Sequence, residues 1–70
     1  MKVYEVKFHY GRQIYEFLSE LDLEVGKTYR LTNDLGHTYK SRALIVGEKE
    51  MSVFSGTMRE IKGAEEEMPW

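Results

Sequence analysis

Residues 3–10 constrain this chain most. Tyr4, Val6, Phe8 and Tyr10 fall on one side of an extended backbone, and Glu5, Lys7 and His9 fall on the other. Side chains alternate across a strand, so a period of two marks a half-buried strand. The aromatic and β-branched content agrees. Gly11-Arg12 follows, and glycine at the first central position of a two-residue loop suits a type II′ hairpin turn. A second strand is therefore expected over 13–18, antiparallel to the first. This segment also carries a helical spacing, because Ile14, Phe17, Leu18 and Leu21 stand at i, i+3, i+4 and i+7. Tyr15 and Phe17 alternate with Glu16, and no Ser, Thr, Asp or Asn cap precedes the segment. The strand reading leads; a β-α-β-β-β fold with a short helix over 14–21 is the alternative.

Further along, Leu21, Leu23 and Val25 alternate with Asp22 and Glu24, and Gly26-Lys27 closes a turn. Residues 28–32 read as a strand with Tyr29 and Leu31 inward. Asn33-Asp34-Leu35-Gly36 is a turn cluster. Residues 38–46 read as a long strand ending in Ala43-Leu44-Ile45-Val46, which is apolar on both faces and suits the most buried position. A turn is expected at Gly47-Glu48-Lys49-Glu50, then short strands over 51–55 and 57–61 separated by Gly56. Beyond Gly63 comes Ala64-Glu65-Glu66-Glu67-Met68-Pro69-Trp70, which reads as an acidic flexible tail. The domain expectation is one barrel over 1–63 and a tail over 64–70. Short strands with regular turn signals point to an all-β fold, a small five- or six-stranded, partly open barrel.

Seventy residues hold one core. Hydrophobic residues are 41% and charged residues 31% of the chain, a folding composition. There is no cysteine, so neither a disulfide framework nor a thiolate zinc site is available. The longest apolar run, Ala43 to Val46, is far short of the roughly 20 residues of a membrane span. The N-terminus has no long apolar stretch resembling a signal peptide. No membrane association is expected, and the cytoplasm is the expected compartment. The formal charge is −2, with twelve acidic and ten basic residues. Setting aside Glu65, Glu66 and Glu67 leaves nine acidic against ten basic, so the body is nearly neutral.

The elements Ile14-Tyr15-Glu16-Phe17, Leu21-Asp22-Leu23-Glu24-Val25-Gly26-Lys27, Tyr29-Arg30-Leu31-Thr32, Gly36 and Leu44-Ile45-Val46-Gly47 follow one another in residues 11–47. This stretch, about half the chain, resembles small SH3-like barrel modules, in which a Leu-x-Val-Gly-Asp/Lys turn introduces a strand. Within that group it is most similar to the C-terminal domain family named for a polymerase-mutant suppressor. It departs from that family at Leu18-Ser19-Glu20 and at Lys40-Ser41-Arg42, where the family usually has glycine. The resemblance implies action in protein complexes or near RNA, with no catalytic residues.

The chemistry-bearing residues point the same way. His9 and His37 show no ligand spacing, whereas a structural zinc site needs four ligands in a recognisable pattern. Ser19, Ser41, Ser52 and Ser55 stand in no nucleophile motif, and there is no glycine-rich phosphate loop. No catalytic residue, metal or cofactor is expected. The leading expectation is a non-enzymatic protein–protein interaction module, a small regulator or adaptor of a size that a mobile element could carry. Its partner-binding candidates are Glu65, Glu66, Glu67, Met68 and Trp70, an acidic run flanking an aromatic anchor. The alternative is single-stranded RNA or DNA binding by an outward basic face of Lys7, His9, Arg30, Lys40 and Arg42, with tyrosines nearby. Oligomeric state is not legible at this level.

Overall fold

The computed structural model describes residues 2–9, 11–50 and 58–68. Five strands make up the fold: β1 (Lys2–Phe8), β2 (Ile14–Ser19), β3 (Thr28–Asn33), β4 (Ala43–Glu50) and β5 (Glu60–Glu66). They close into a small all-β barrel in the order β1-β2-β5-β3-β4, and no helix occurs among the described residues. This agrees with the expected small SH3-like barrel, closed rather than partly open. Residues 14–21 hold no helix, and β2 pairs antiparallel with β1 from Lys2↔Ser19 to Lys7↔Ile14. A strand here buries Phe17 against the core beside Tyr4, and the helical stripe has no apolar surface of its own to cover.

The alternation in β1 sets the core. Tyr4, Val6 and Phe8 are buried with Phe17, Leu23, Tyr29, Leu31, Ala43, Ile45 and Ile61. Tyr10 lies outside the described residues. Val3 and Leu18, cross-strand partners on the other face of the β1–β2 hairpin, are also buried.

The barrel closes through two short seams. β2 and β5 run parallel and pair only at Leu18↔Glu60 and Ser19↔Ile61. There the buried Ser19 hydroxyl donates to the Ile61 carbonyl at 2.8 Å and accepts from the Leu21 amide at 3.0 Å. β3 and β4 pair only at Thr28↔Leu44 and Tyr29↔Ala43.

The expected long strand over 38–46 is interrupted. Thr38 bridges Thr32, and the Tyr39 amide bonds to the Leu31 carbonyl, so residues 38–39 run beside β3. The ladder resumes at Ala43 opposite Tyr29. Lys40, Ser41 and Arg42 are therefore looped out opposite Arg30. Beyond, residues 47–50 continue β4 rather than forming a turn, paired with β1 at Glu5↔Gly47 to Lys2↔Glu50. Gly47 lies within the strand rather than in a turn: a Cβ there would stand 2.5 Å from the Glu5 Oε1, the end of a flexible side chain that can swing aside. The register shifts between Glu5 and Val6, which leaves Val46 bulged and exposed.

The expected strand over 51–55 lies outside the described residues, as does residue 57 of the strand expected over 57–61; of 58–61 only Glu60 and Ile61 are strand. The acidic tail expected over 64–70 is corrected in part. Ala64, Glu65 and Glu66 belong to β5 and pair with Leu31, Arg30 and Tyr29 of β3. A strand forms there because β3 would otherwise present unpaired backbone groups along a buried edge. Pro69 and Trp70 lie outside the described residues. No helix of the described residues is long and apolar enough to cross a membrane.

Candidate functional site

The looped-out residues make the most distinctive surface of the barrel. An open pocket of about 350 Å³ is lined by His9, Arg30, Lys40, Ser41 and Arg42. β3 supplies Arg30, the 40–42 loop supplies the next three residues, and His9 follows the end of β1. The His9 amide bonds to the Arg42 carbonyl at 3.0 Å and the Ser41 hydroxyl at 3.1 Å, which fixes the loop against β1.

Arg30 is the back wall. Its Nη1 donates to the Tyr39 carbonyl at 3.3 Å and to the Lys40 carbonyl. The guanidinium thus satisfies carbonyls that the interrupted ladder leaves without strand partners. Its other edge faces Glu67: Nε and Nη2 both donate to Glu67 Oε1, at 3.0 and 2.7 Å. The planar fork suits this double role, which a lysine could not fill. Lys40 and Arg42 enter no ion pair among the described residues. Arg42 makes one long hydrogen bond, from Nη1 to the Met68 carbonyl at 3.4 Å.

Four of the five residues expected on a basic face thus come together, and Lys7 does not. Lys7 lies on β1 between Ile14 and Leu44, outside the pocket lining. Ser41 was not expected; only the loop geometry reveals it. The tyrosines expected nearby do not join the surface. Tyr29 is buried and its hydroxyl accepts from the Glu24 amide. Tyr39 packs inward on Phe8 and Phe17, with ring centroids 5.3 and 5.7 Å apart. Tyr10 lies outside the described residues.

The tail candidates are placed differently. Glu66 pairs with Lys27 at 3.3 Å, and Glu67 pairs with Arg30. The Lys27 ammonium is held above the ordinary lysine value, first by its hydrogen bond to Glu66 and then by the charges of Glu24 and Glu66. Glu65 is exposed and stands across the ladder from Arg30. Met68 is 78% exposed. Two of the three glutamates therefore clasp the chain's own barrel.

The histidines do not meet. His37 packs edge-on against Tyr39 at 5.2 Å, while His9 lines the pocket. No cluster of three or more His, Cys, Asp or Glu able to hold a metal ion occurs among the described residues. No family model, curated protein or solved structure matches this chain.

Proposed function

We propose that this chain is a non-enzymatic protein-interaction module whose basic pocket receives an extended acidic segment of a partner protein. The observation that carries the reading is the seating of Glu67 and Met68. The chain's own acidic strand end touches two residues of the pocket lining, its carboxylate on Arg30 and its backbone carbonyl on Arg42, while Glu67 itself lines the cavity beside Lys27 and Thr28. That contact supports an acidic ligand chemistry for the surface. Lys40 and Arg42, without ion pairs among the described residues, supply further positive charge beside it. Charge complementarity of this kind speeds encounter and fixes register.

The same cations suit phosphates, so single-stranded RNA or DNA is the second reading. It lacks stacking partners, because Tyr29 and Tyr39 turn to the core. It also lacks a broad basic field, because the body is nearly neutral.

Fluorescence anisotropy with a labelled glutamate-rich peptide at low salt tests the proposal. The full chain is expected to bind, and Lys40→Glu with Arg42→Glu is expected to weaken binding at least about tenfold, two charge reversals at a few ångströms being worth about 1.4 kcal/mol or more. Tighter binding of an oligonucleotide than of the peptide, with a steep salt dependence, would favour the second reading. Absence of peptide binding at low salt would remove the first.

A further inference from the structure

Resting on that reading, we infer that the Nε/Nη2 edge of Arg30 is the carboxylate subsite of the pocket and that Glu67 is a built-in competitor for it. A partner's acidic side chain gains full access to Arg30 only when Glu67 swings away.

Three observations place the competitor and show that it is free to leave. First, the Glu67 backbone is anchored independently of its side chain: its amide bonds to the Thr28 carbonyl at 2.9 Å. The strand end therefore stays in place when the carboxylate moves. Second, Arg30 is anchored independently of Glu67, through Nη1 to the Tyr39 and Lys40 carbonyls. Its Nε/Nη2 edge keeps its orientation when vacated, and is preorganised for the next carboxylate. Third, both Arg30 donors converge on one oxygen, Oε1 of Glu67. A fork-to-fork pairing would engage both carboxylate oxygens in parallel bonds. An incoming carboxylate that adopts that geometry makes a better match than the resident one.

Lys40 and Arg42 then define the rest of the ligand. They line the pocket with Arg30, while Glu67 lines the cavity on the other side with Lys27 and Thr28, so an extended segment with two or more acidic residues can set one carboxylate on the vacated edge and another on the flanking cations. A single carboxylate would only exchange with Glu67. The side chains of Arg30 and Glu67 are each about one-third exposed (31% and 32%), so the pair is reachable from solvent without opening the barrel.

The test compares the full chain with Glu67→Gln and with Glu50→Gln, using a labelled hexaglutamate peptide at low salt. Glu50 is exposed at the far end of β4 and removes the same charge away from the pocket. Glu67→Gln is expected to bind the peptide about three- to tenfold tighter than the unaltered chain, the range given by removing one partly exposed competing ion pair and its like-charge repulsion. Glu50→Gln is expected to bind within about twofold of the unaltered chain, because its charge stands at the opposite end of β4 from Ala43, roughly 20 Å along the strand, and Coulomb interaction falls with distance. Peptide addition is also expected to shift the Arg30 Nε–H resonance, and more in Glu67→Gln, where a carboxylate arrives at an edge that held none, than in the unaltered chain, where it replaces the Glu67 carboxylate. Equal gains in both variants would mean that only net charge matters and would overturn the competitor. Binding by the unaltered chain with no gain in Glu67→Gln would overturn it too, while leaving the pocket reading intact. Failure of the unaltered chain and both variants to bind removes both.

Discussion

The hydroxyl of Tyr4 donates to the Leu21 carbonyl at 2.7 Å and accepts from the Leu23 amide at 3.0 Å. Tyr4 is fully buried, so the ring fills the core while the hydroxyl ties down the chain between β2 and β3. Alternation identifies Tyr4 as inward, but its polar partners are backbone groups 17 and 19 residues away, and no sequence pattern marks them. Tyr4→Phe keeps the ring and leaves the Leu23 amide without its acceptor. The expected cost is about 1–3 kcal/mol, the penalty of a buried donor left unpaired. Urea denaturation should show a lower midpoint with an unchanged slope. Tyr29→Phe removes an analogous bond to Glu24, a more exposed residue, so water can replace it and the cost should be smaller. A Tyr4→Phe midpoint equal to the original would show that the hydroxyl contributes nothing to the fold.

Among the elements, β5 is the one whose role the sequence conceals. Its two inward residues, Ile61 and Ala64, are three apart because the register with β3 shifts between Thr32 and Asn33. Period two is broken there, and the acidic residues that follow read as solvated tail. β1 and β3 were legible because their alternation is nearly unbroken, whereas β2 is exposed over its first three residues and buried over its last three, with Tyr15 exposed rather than inward, so a helical spacing competed there. The start of β4 was obscured by the loop opposite Arg30, and its end by Gly47, which resembles a turn residue but pairs with Glu5 inside the strand. A chain ending at Gly63 tests the importance of β5. It loses the pairing of Ala64, Glu65 and Glu66 with β3 and the ion pairs to Lys27 and Arg30. At about 0.5–1.5 kcal/mol per backbone hydrogen bond, the expected fall in Tm is upwards of about 8 °C. An unchanged Tm would return residues 64–70 to the status of a dispensable tail. The Lys27–Glu66 contact adds a pH dependence. Because the folded-state lysine is raised above 10.5, its stabilisation is complete below that value and is lost as pH rises through the raised one. Lys2, raised first by Glu48, and Lys49, raised first by its bond to Glu16, act in the same direction. Thermal melts should therefore weaken above about pH 10.5, and Lys27→Gln should lessen that alkaline fall without abolishing it.

For the molecule as a whole, one core carries the fold and its surface carries the site. The basic pocket was legible in part, as four of the five outward cations expected: His9, Arg30, Lys40 and Arg42 converge and Lys7 does not, and the convergence depends on the interruption at 40–42, which no local pattern signals. The inward use of Glu67 was hidden for the same reason: the sequence shows an acidic run but not the arginine it meets. Among the described residues one hydrophobic cluster fills the barrel, and this sets the last prediction. Phe8 sits at its aromatic centre, with ring centroids of Tyr15, Phe17 and Tyr39 at 5.6, 6.2 and 5.3 Å. The Tyr15 and Phe17 contacts are edge-to-face, and such pairs add about 0.5–1.5 kcal/mol each beyond the area they bury. Phe8→Ala is expected to cost about 3–5 kcal/mol, and a domain of this size has about that much in total. The variant should be largely unfolded at 25 °C, with loss of near-ultraviolet circular dichroism and no cooperative melt. Phe8→Leu preserves most of the volume but not the ring contacts, and it should fold with a lowered Tm. That pair separates filling from aromatic geometry: a folded Phe8→Ala with a cooperative melt near the original would show that the core tolerates the cavity and that closure of the barrel, rather than its packing, holds the chain together.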